Sequence, residues 1–150
     1  MPLPRRVWCS CTIIDYLQGT SRAQPCVDII RQCEHRELEL LVSVLAIAEV
    51  GTTDKNDPND LARIKEFFGR NYVIPVNVDI FVAEHAQRIV RQFGLSGADA
   101  VHLATAVAYN VPILETFDDK LIGVDGKVGN PLVEIRPPRY DSGQQTSLGL

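Results

Sequence analysis

The chain reads as an α/β domain of three layers, α/β/α, built on a central, mostly parallel sheet of four to five strands. Three observations lead there. Short apolar runs of strand length alternate with longer segments of helical periodicity from Arg5 to Ile135. Strands that alternate with helices in this way pair in parallel and are wrapped on both faces. Several of the helical segments also open on side chains able to cap a first turn.

Arg5 to Cys9 forms the first short strand and leads straight to a turn. Thr12-Ile13-Ile14-Asp15 then has the form of a capping box, with Thr12 as cap and Asp15 at the third helical position. Pro25 to Arg36 reads as a helix, with Val27, Ile30 and Cys33 at helical spacing. Leu38 to Ser43 is a second, buried strand. Val44 to Thr52 follows as a helix carrying Glu49, its end weakened by Gly51. The polar stretch TTDKNDPND is a loop, after which Asn59 or Asp60 caps a helix over Leu61 to Gly69. Tyr72 to Val76 is the third strand. Asp79 caps a long helix over Ile80 to Phe93, with Val82, Ala86, Ile89, Val90 and Phe93 along one face. Ser96-Gly97-Ala98-Asp99 is a further capping box, opening an alanine-rich helix over Ala98 to Tyr109. Val111 to Leu114 and Leu132 to Ile135 supply the fourth and fifth strands. The folded domain thus spans 1–136, and the polar segment 137–150, with its Pro and Gly, reads as a disordered tail.

The 150 residues suit one domain able to bury one proper core, and 45% apolar with 23% charged residues is ordinary for a globular protein. A formal net charge of −4 advertises no broad basic face, which argues against strong non-specific nucleic-acid binding. It leaves room for a nuclease, because metal ions neutralise an acidic cleft, and Arg5, Arg6, Arg63, Lys65, Arg70, Arg88 and Arg91 are available either to phosphates or as solvated charge. Cys9, Cys11, Cys26 and Cys33 show no zinc-site spacing and read as reduced, mostly buried thiols of a cytoplasmic protein. On a strand, Cys9 and Cys11 would point to opposite faces and could not easily bridge. No apolar run reaches membrane-spanning length, and the start MPLPRRVW lacks the apolar core of a signal peptide.

Against this background three acids stand out. Glu49 closes the apolar run that begins at Leu38, Asp99 sits in LSGADAVHLATAVA, and Asp118 in VPILETFDDKL. A carboxylate in apolar company is costly unless something pairs with it, and a bound metal ion can supply the positive charge. Glu49, Asp118 and Cys9 all fall just after predicted strands or a helical turn or so further on, and Asp99 begins a helix. Parallel sheets bind ligands at the carboxyl ends of their strands, so the four converge at one edge. Each has a plainer role available: Asp99 completes a capping box, Asp119 does so in Thr116-x-x-Asp119, Asp15 caps or faces solvent, and Glu49 faces solvent on a short helix. His102, three residues after Asp99 on the same helix face, reads as packed or surface rather than catalytic. Trp8 reads as core.

The order of these residues resembles the PIN-domain family, and most nearly its small VapC-type toxin ribonucleases. SGADAVHLATA carries the resemblance most specifically, LVSVLAIAEV moderately, and TFDDKL least. It extends from residue 5 to about 135. The resemblance implies a three-layer PIN-like fold and a metal-dependent endoribonuclease in which Glu49, Asp99 and Asp118 are catalytic and hold Mg²⁺ or Mn²⁺. Asp119 assists in that metal set, and the hydroxyls of Ser10 and Thr116 orient carboxylates or water behind it. It also implies a cognate antitoxin protein, an RNA substrate and a homodimer, with no membrane involved. One departure matters: where the family's first strand ends in a metal-binding Asp, this chain has Cys9. A thiol is mostly neutral at pH 7 and too soft for Mg²⁺, so hydrolysis is expected to be impaired. The alternative is a PIN-like module that binds RNA or protein without cutting. A hydrolase with Cys9 as nucleophile is disfavoured, because a carboxylate-rich pocket raises a thiol's pKa.

Overall fold

A computed structural model describes residues 2–141. Five strands, β1 (Arg5–Trp8), β2 (Glu39–Ser43), β3 (Val73–Val76), β4 (Ile113–Glu115) and β5 (Glu134–Arg136), form one sheet in the order β3-β2-β1-β4-β5. Every pairing is parallel, so the sheet is wholly rather than mostly parallel. The winding reverses at β1, which lies between β2 and β4, and a crevice opens at the carboxyl ends of strands where such a reversal occurs.

Alternation along the strands divides the core in two. Val7, Leu41 and Leu114 point to one face, where they pack against α5 (Ile80–Phe93) and α6 (Gly97–Ala108) through Val82, Ala86, Ile89, Leu103 and Ala104. Trp8, Leu40 and Val42 point to the other, against α1 (Ser10–Gln18), α2 (Gln24–Glu34), α3 (Val44–Glu49) and α4 (Asp60–Phe68). Trp8 is the centre of that second core, fully buried and stacked on Phe67 at 6.5 Å and 9°. A short α7 (Asp119–Ile122), signalled in the sequence only by the capping box Thr116-x-x-Asp119, follows β4 at the carboxyl edge. The three-layer α/β/α expectation holds.

Several local expectations shift. The helix after β1 begins at Ser10, earlier than the Thr12 capping box proposed, with Cys9 at the N-cap and no side-chain cap bond. Thr12 is instead buried inside it, its hydroxyl donating to the Glu115 carbonyl at 2.9 Å. Asp15 is neither cap nor surface. It is buried and accepts from Thr20 Oγ1 at 3.1 Å and Arg22 Nη2 at 2.7 Å, which ties the end of α1 to the following turn. Gly19, at φ +66, ends that helix in the left-handed region that glycine enters without strain. In α2 the buried face is Cys26, Ile29, Ile30 and Cys33, with Val27 at its margin. α3 stops at Glu49 rather than Thr52. Asp60 begins α4 but bonds backward, to the Thr53 hydroxyl and to the Thr53 amide at 3.0 Å, folding the polar loop onto the helix start. The tail expected over 137–150 lies outside the described residues from 142 onward. Among the described residues no helix is long and apolar enough to cross a membrane.

Candidate active site

The carboxyl edge of β1 and β4 collects side chains from four places in the sequence. β1 delivers Cys9, and the first turn of α1 brings Cys11 round beside it, the two Sγ atoms 3.0 Å apart. The expectation that these thiols point to opposite faces is therefore corrected. The strand ends at Trp8, and helical backbone replaces strand alternation at this point. Three of the four cysteines are buried, as expected, with Cys11 half-buried, and burial pushes Cys26 and Cys33 up to about 12.

Ser43 caps α3, accepting the Leu45 amide proton at 3.2 Å, and so sets Glu49 one and a half turns beyond the end of β2. Glu49 Oε1 lies 2.7 Å from His102 Nε2. This bond, with a second from the Ser10 hydroxyl, holds the Glu49 carboxyl below its usual range against the opposing effect of partial burial. His102 is thus more than a packed residue. It is 1% exposed, its Nε2 is committed to the Glu49 carboxylate, and its Nδ1 has no hydrogen-bond partner among the described residues. Its spacing of three from Asp99 was the available signal: both lie on one face of α6, and that face meets Glu49.

Asp99 stands in the first turn of α6, where Ser96 Oγ accepts its amide proton at 3.1 Å. Its half-buried carboxyl is raised above its usual value, first by burial and then by the carboxyl of Asp118 beside it. Asp118 is itself the cap of α7, accepting the Lys120 amide proton at 2.9 Å, while its own N–H donates to Thr116 Oγ1 at 3.1 Å. The cap was expected at Asp119. That residue is exposed at the first position of α7, and among the described residues no contact joins it to the other acids. Thr116 is buried and touches Cys9 Sγ at 3.1 Å and Cys11 Sγ at 3.3 Å, linking the thiols to the loop that carries Asp118. The structure thus joins Asp99 to Asp118, Glu49 to His102 and Ser10, and both thiols to Thr116.

One acid of this region escaped the sequence reading. Glu115 was placed just beyond the fourth strand, yet it ends β4 fully buried on the face of Trp8. It accepts from Arg6 Nη1 at 2.8 Å, Trp8 Nε1 at 2.9 Å and the Arg139 amide at 3.3 Å. Arg6 is therefore a buried structural ion rather than a base available to phosphate or solvent.

The chemistry of these donors bears on the expected Mg²⁺ or Mn²⁺. Asp99 and Asp118 offer hard oxygens, and the repulsion between them is what a divalent cation relieves, so this pair fits such an ion. Glu49 is engaged by His102, and Cys9 brings a soft sulfur. Among the described residues no three His, Cys, Asp or Glu side chains are grouped so as to hold one ion.

The PIN domain family model matches residues 10–127. Three solved structures share the fold. One is a toxin–antitoxin complex from Klebsiella pneumoniae, 19% identical with a TM-score of 0.59 over 78% of this chain and 89% of the other. A second is VapBC2 from Rickettsia felis bound to a DNA fragment of its promoter, 12% identical with a TM-score of 0.63 over 91% and 99%. The third is VapC20 from Mycobacterium tuberculosis, a toxin that cleaves the sarcin–ricin loop, 17% identical with a TM-score of 0.62 over 88% and 99%. At these identities the likeness is one of fold. No curated protein matches the chain significantly.

Proposed function

The chain belongs to the PIN domain family, and on that premise we propose that it is a divalent-metal-dependent endoribonuclease of toxin–antitoxin type whose cleavage is slowed by Cys9. The observation that carries this reading is the Asp99–Asp118 pair: two acids near enough to raise the Asp99 carboxyl, at the sheet's topological switch, with no ion pair to a Lys or Arg among the described residues. Asp99 and Asp118 would hold the ion, and Glu49, kept ionised by His102 and Ser10, would be drawn in to complete the set when it binds. Mg²⁺ or Mn²⁺ bound there would supply the Lewis acidity for hydrolysis of a phosphodiester by water. Thr116 fixes the backbone of Asp118 from behind, and Asp119 is left a minor role in attracting the cation.

Cys9 stands where the family has an acid. Its proton is held, first by the hydrogen bond shared with Cys11 and then by burial, so its pKa lies well above that of an ordinary thiol. A neutral sulfur there supplies no charge to the ion, which supports slow hydrolysis and a preference for the softer Mn²⁺. The partners follow the same reading. RNA enters at the acidic edge of a homodimer, and an antitoxin segment covers the groove of about 370 Å³ between α3 and α4, where Ile47 and Leu61 are exposed. In this reading the protein works in the cytoplasm.

The test is incubation of the purified protein and its Cys9→Asp variant with structured RNA in Mg²⁺, Mn²⁺ or EDTA. The variant should cleave at least about 10-fold faster, as expected when a ligand is restored, and EDTA should stop both. Equal rates would remove the role given to Cys9, and cleavage that persists in EDTA would remove the metal. That no three ligating side chains group together among the described residues favours a second reading, a PIN module that binds RNA or protein without cutting. Calorimetric titration separates the two: intact RNA affinity with no Mg²⁺ or Mn²⁺ uptake selects the binding module.

A further inference from the structure

Beside the carboxylates lies a second cluster of reactive groups that the hydrolytic reading leaves without chemistry of its own. Cys9 Sγ and Cys11 Sγ approach to 3.0 Å, closer than two sulfurs in simple contact, at the N-terminus of a nine-residue helix. Cys9 is 2% exposed, whereas Cys11 is partly open to solvent. Thr116 Oγ1 lies within 3.3 Å of both sulfurs, and Thr12 Oγ1 stands 3.5 Å from Cys9. One thiol is sheltered, its neighbour is reachable, and hydroxyls surround both. This is the arrangement of an attacking and a resolving thiol.

We infer that Cys9 and Cys11 form a redox-active dithiol that exchanges with small disulfides and closes reversibly into an intramolecular Cys9–Cys11 bond. The attacking sulfur is Cys11. It is the more exposed of the two sulfurs, it lies in the first turn of α1, and Thr116 Oγ1 stands 3.3 Å from it. It attacks one sulfur of the external disulfide, breaking that S–S bond, and the first thiolate leaves. The Cys9 sulfur then attacks Cys11 and breaks the mixed disulfide. The second thiolate departs with the proton that Cys9 gives up. One external disulfide is reduced to two thiols, and the protein dithiol is oxidised by the same two electrons. Cys26 and Cys33 take no part, since each is buried and held at about 12. The exchange stands independently of the ribonuclease reading, although the bond would form against the hydroxyl that holds the Asp118 amide.

The experiment equilibrates the full chain with mixtures of oxidised and reduced glutathione, quenches in acid, alkylates the remaining thiols after unfolding and locates them by peptide mass. The expected result is loss of two hydrogens and of alkylation at Cys9 and Cys11 alone, reversed by dithiothreitol. Cys9→Ser should arrest the exchange with one glutathione on Cys11, and Cys11→Ser should leave Cys9 unmodified. The inference is overturned if the wild-type chain keeps Cys9 and Cys11 alkylatable in excess oxidised glutathione, or if the bond joins two chains. It is overturned equally if Cys9→Ser acquires no glutathione. Because the first measurement uses the unaltered protein, a variant that folds poorly does not spoil it.

Discussion

Glu115 and Asp99 are both acids whose pKa burial raises, yet they have opposite company. Around Glu115 stand Arg6 at 2.8 Å, the Trp8 indole at 2.9 Å and, further off, Arg136 at 4.0 Å. Beside Asp99 stands another acid, Asp118, and the pair is only half-buried at the open edge of the sheet. The first cluster is closed: its charge is answered within the fold, and its atoms are sealed from solvent. The second is left with unanswered negative charge that solvent or a cation can reach. Buried and neutralised acids serve the fold, whereas paired acids without a counter-ion at a strand's carboxyl end are arranged for a ligand.

That contrast can be broken first at the closed cluster. Glu115→Ala leaves Arg6 buried without its counter-charge and should cost about 3–5 kcal/mol, read as a lower urea midpoint with an unchanged slope. Asp99→Asn or Asp118→Asn should instead leave stability within about 1 kcal/mol of wild type, on the stabilising side, because a repulsion is removed. A stability loss at Asp99 as large as that at Glu115 would erase the distinction.

The same two substitutions sharpen the functional side. Each should reduce divalent-dependent RNA cleavage by more than about 100-fold, beyond the 10–100-fold usual for groups that only orient ligands. His102→Asn belongs to that latter class and should cost about 10–100-fold, with the Glu49 titration moving upward as its hydrogen bond is lost. If His102→Asn proved as damaging as Asp99→Asn, His102 would have to act on the substrate itself.

The smallest effect is in pH dependence. The folded chain holds the Asp99 proton more tightly than the unfolded one, so this group's stability contribution is present below 3.8 and is lost as pH rises through its raised folded value. Glu49 has the reverse sign: its contribution is present above 4.5 and is lost as pH falls through its lowered value. Carboxyl NMR titration should show both directions, and Asp118→Asn should bring the Asp99 midpoint down while leaving Glu49 in place. An Asp99 midpoint indifferent to Asp118 would separate the two carboxyls.

Much of this arrangement was readable along the chain because it depends on neighbours. The Asp79 cap and the Val82, Ala86, Ile89 stripe placed α5 correctly at Ile80–Phe93, since both signals act within a few turns. The Ser96 cap located Asp99 for the same reason. The start of α1 was misplaced because Thr12-x-x-Asp15 has the form of a capping box, but Thr12 was drawn instead to the Glu115 carbonyl. Thr116-x-x-Asp119 likewise has the form of a capping box, but Asp118 caps α7 and the Thr116 hydroxyl accepts the Asp118 amide proton instead.

By itself, then, the order of amino acids determined the alternation of strands and helices, the two-sided wrapping of the sheet and the candidate acids Glu49, Asp99 and Asp118. Only the tertiary structure decided which charges answer one another. Arg6 finds Glu115 across 109 positions, and His102 finds Glu49 across 53. Cys9 and Cys11 meet because a strand gives way to a helix between Trp8 and Ser10. Periodicity and capping are short-range effects of backbone geometry, whereas the pairing of distant charges depends on which strands lie side by side.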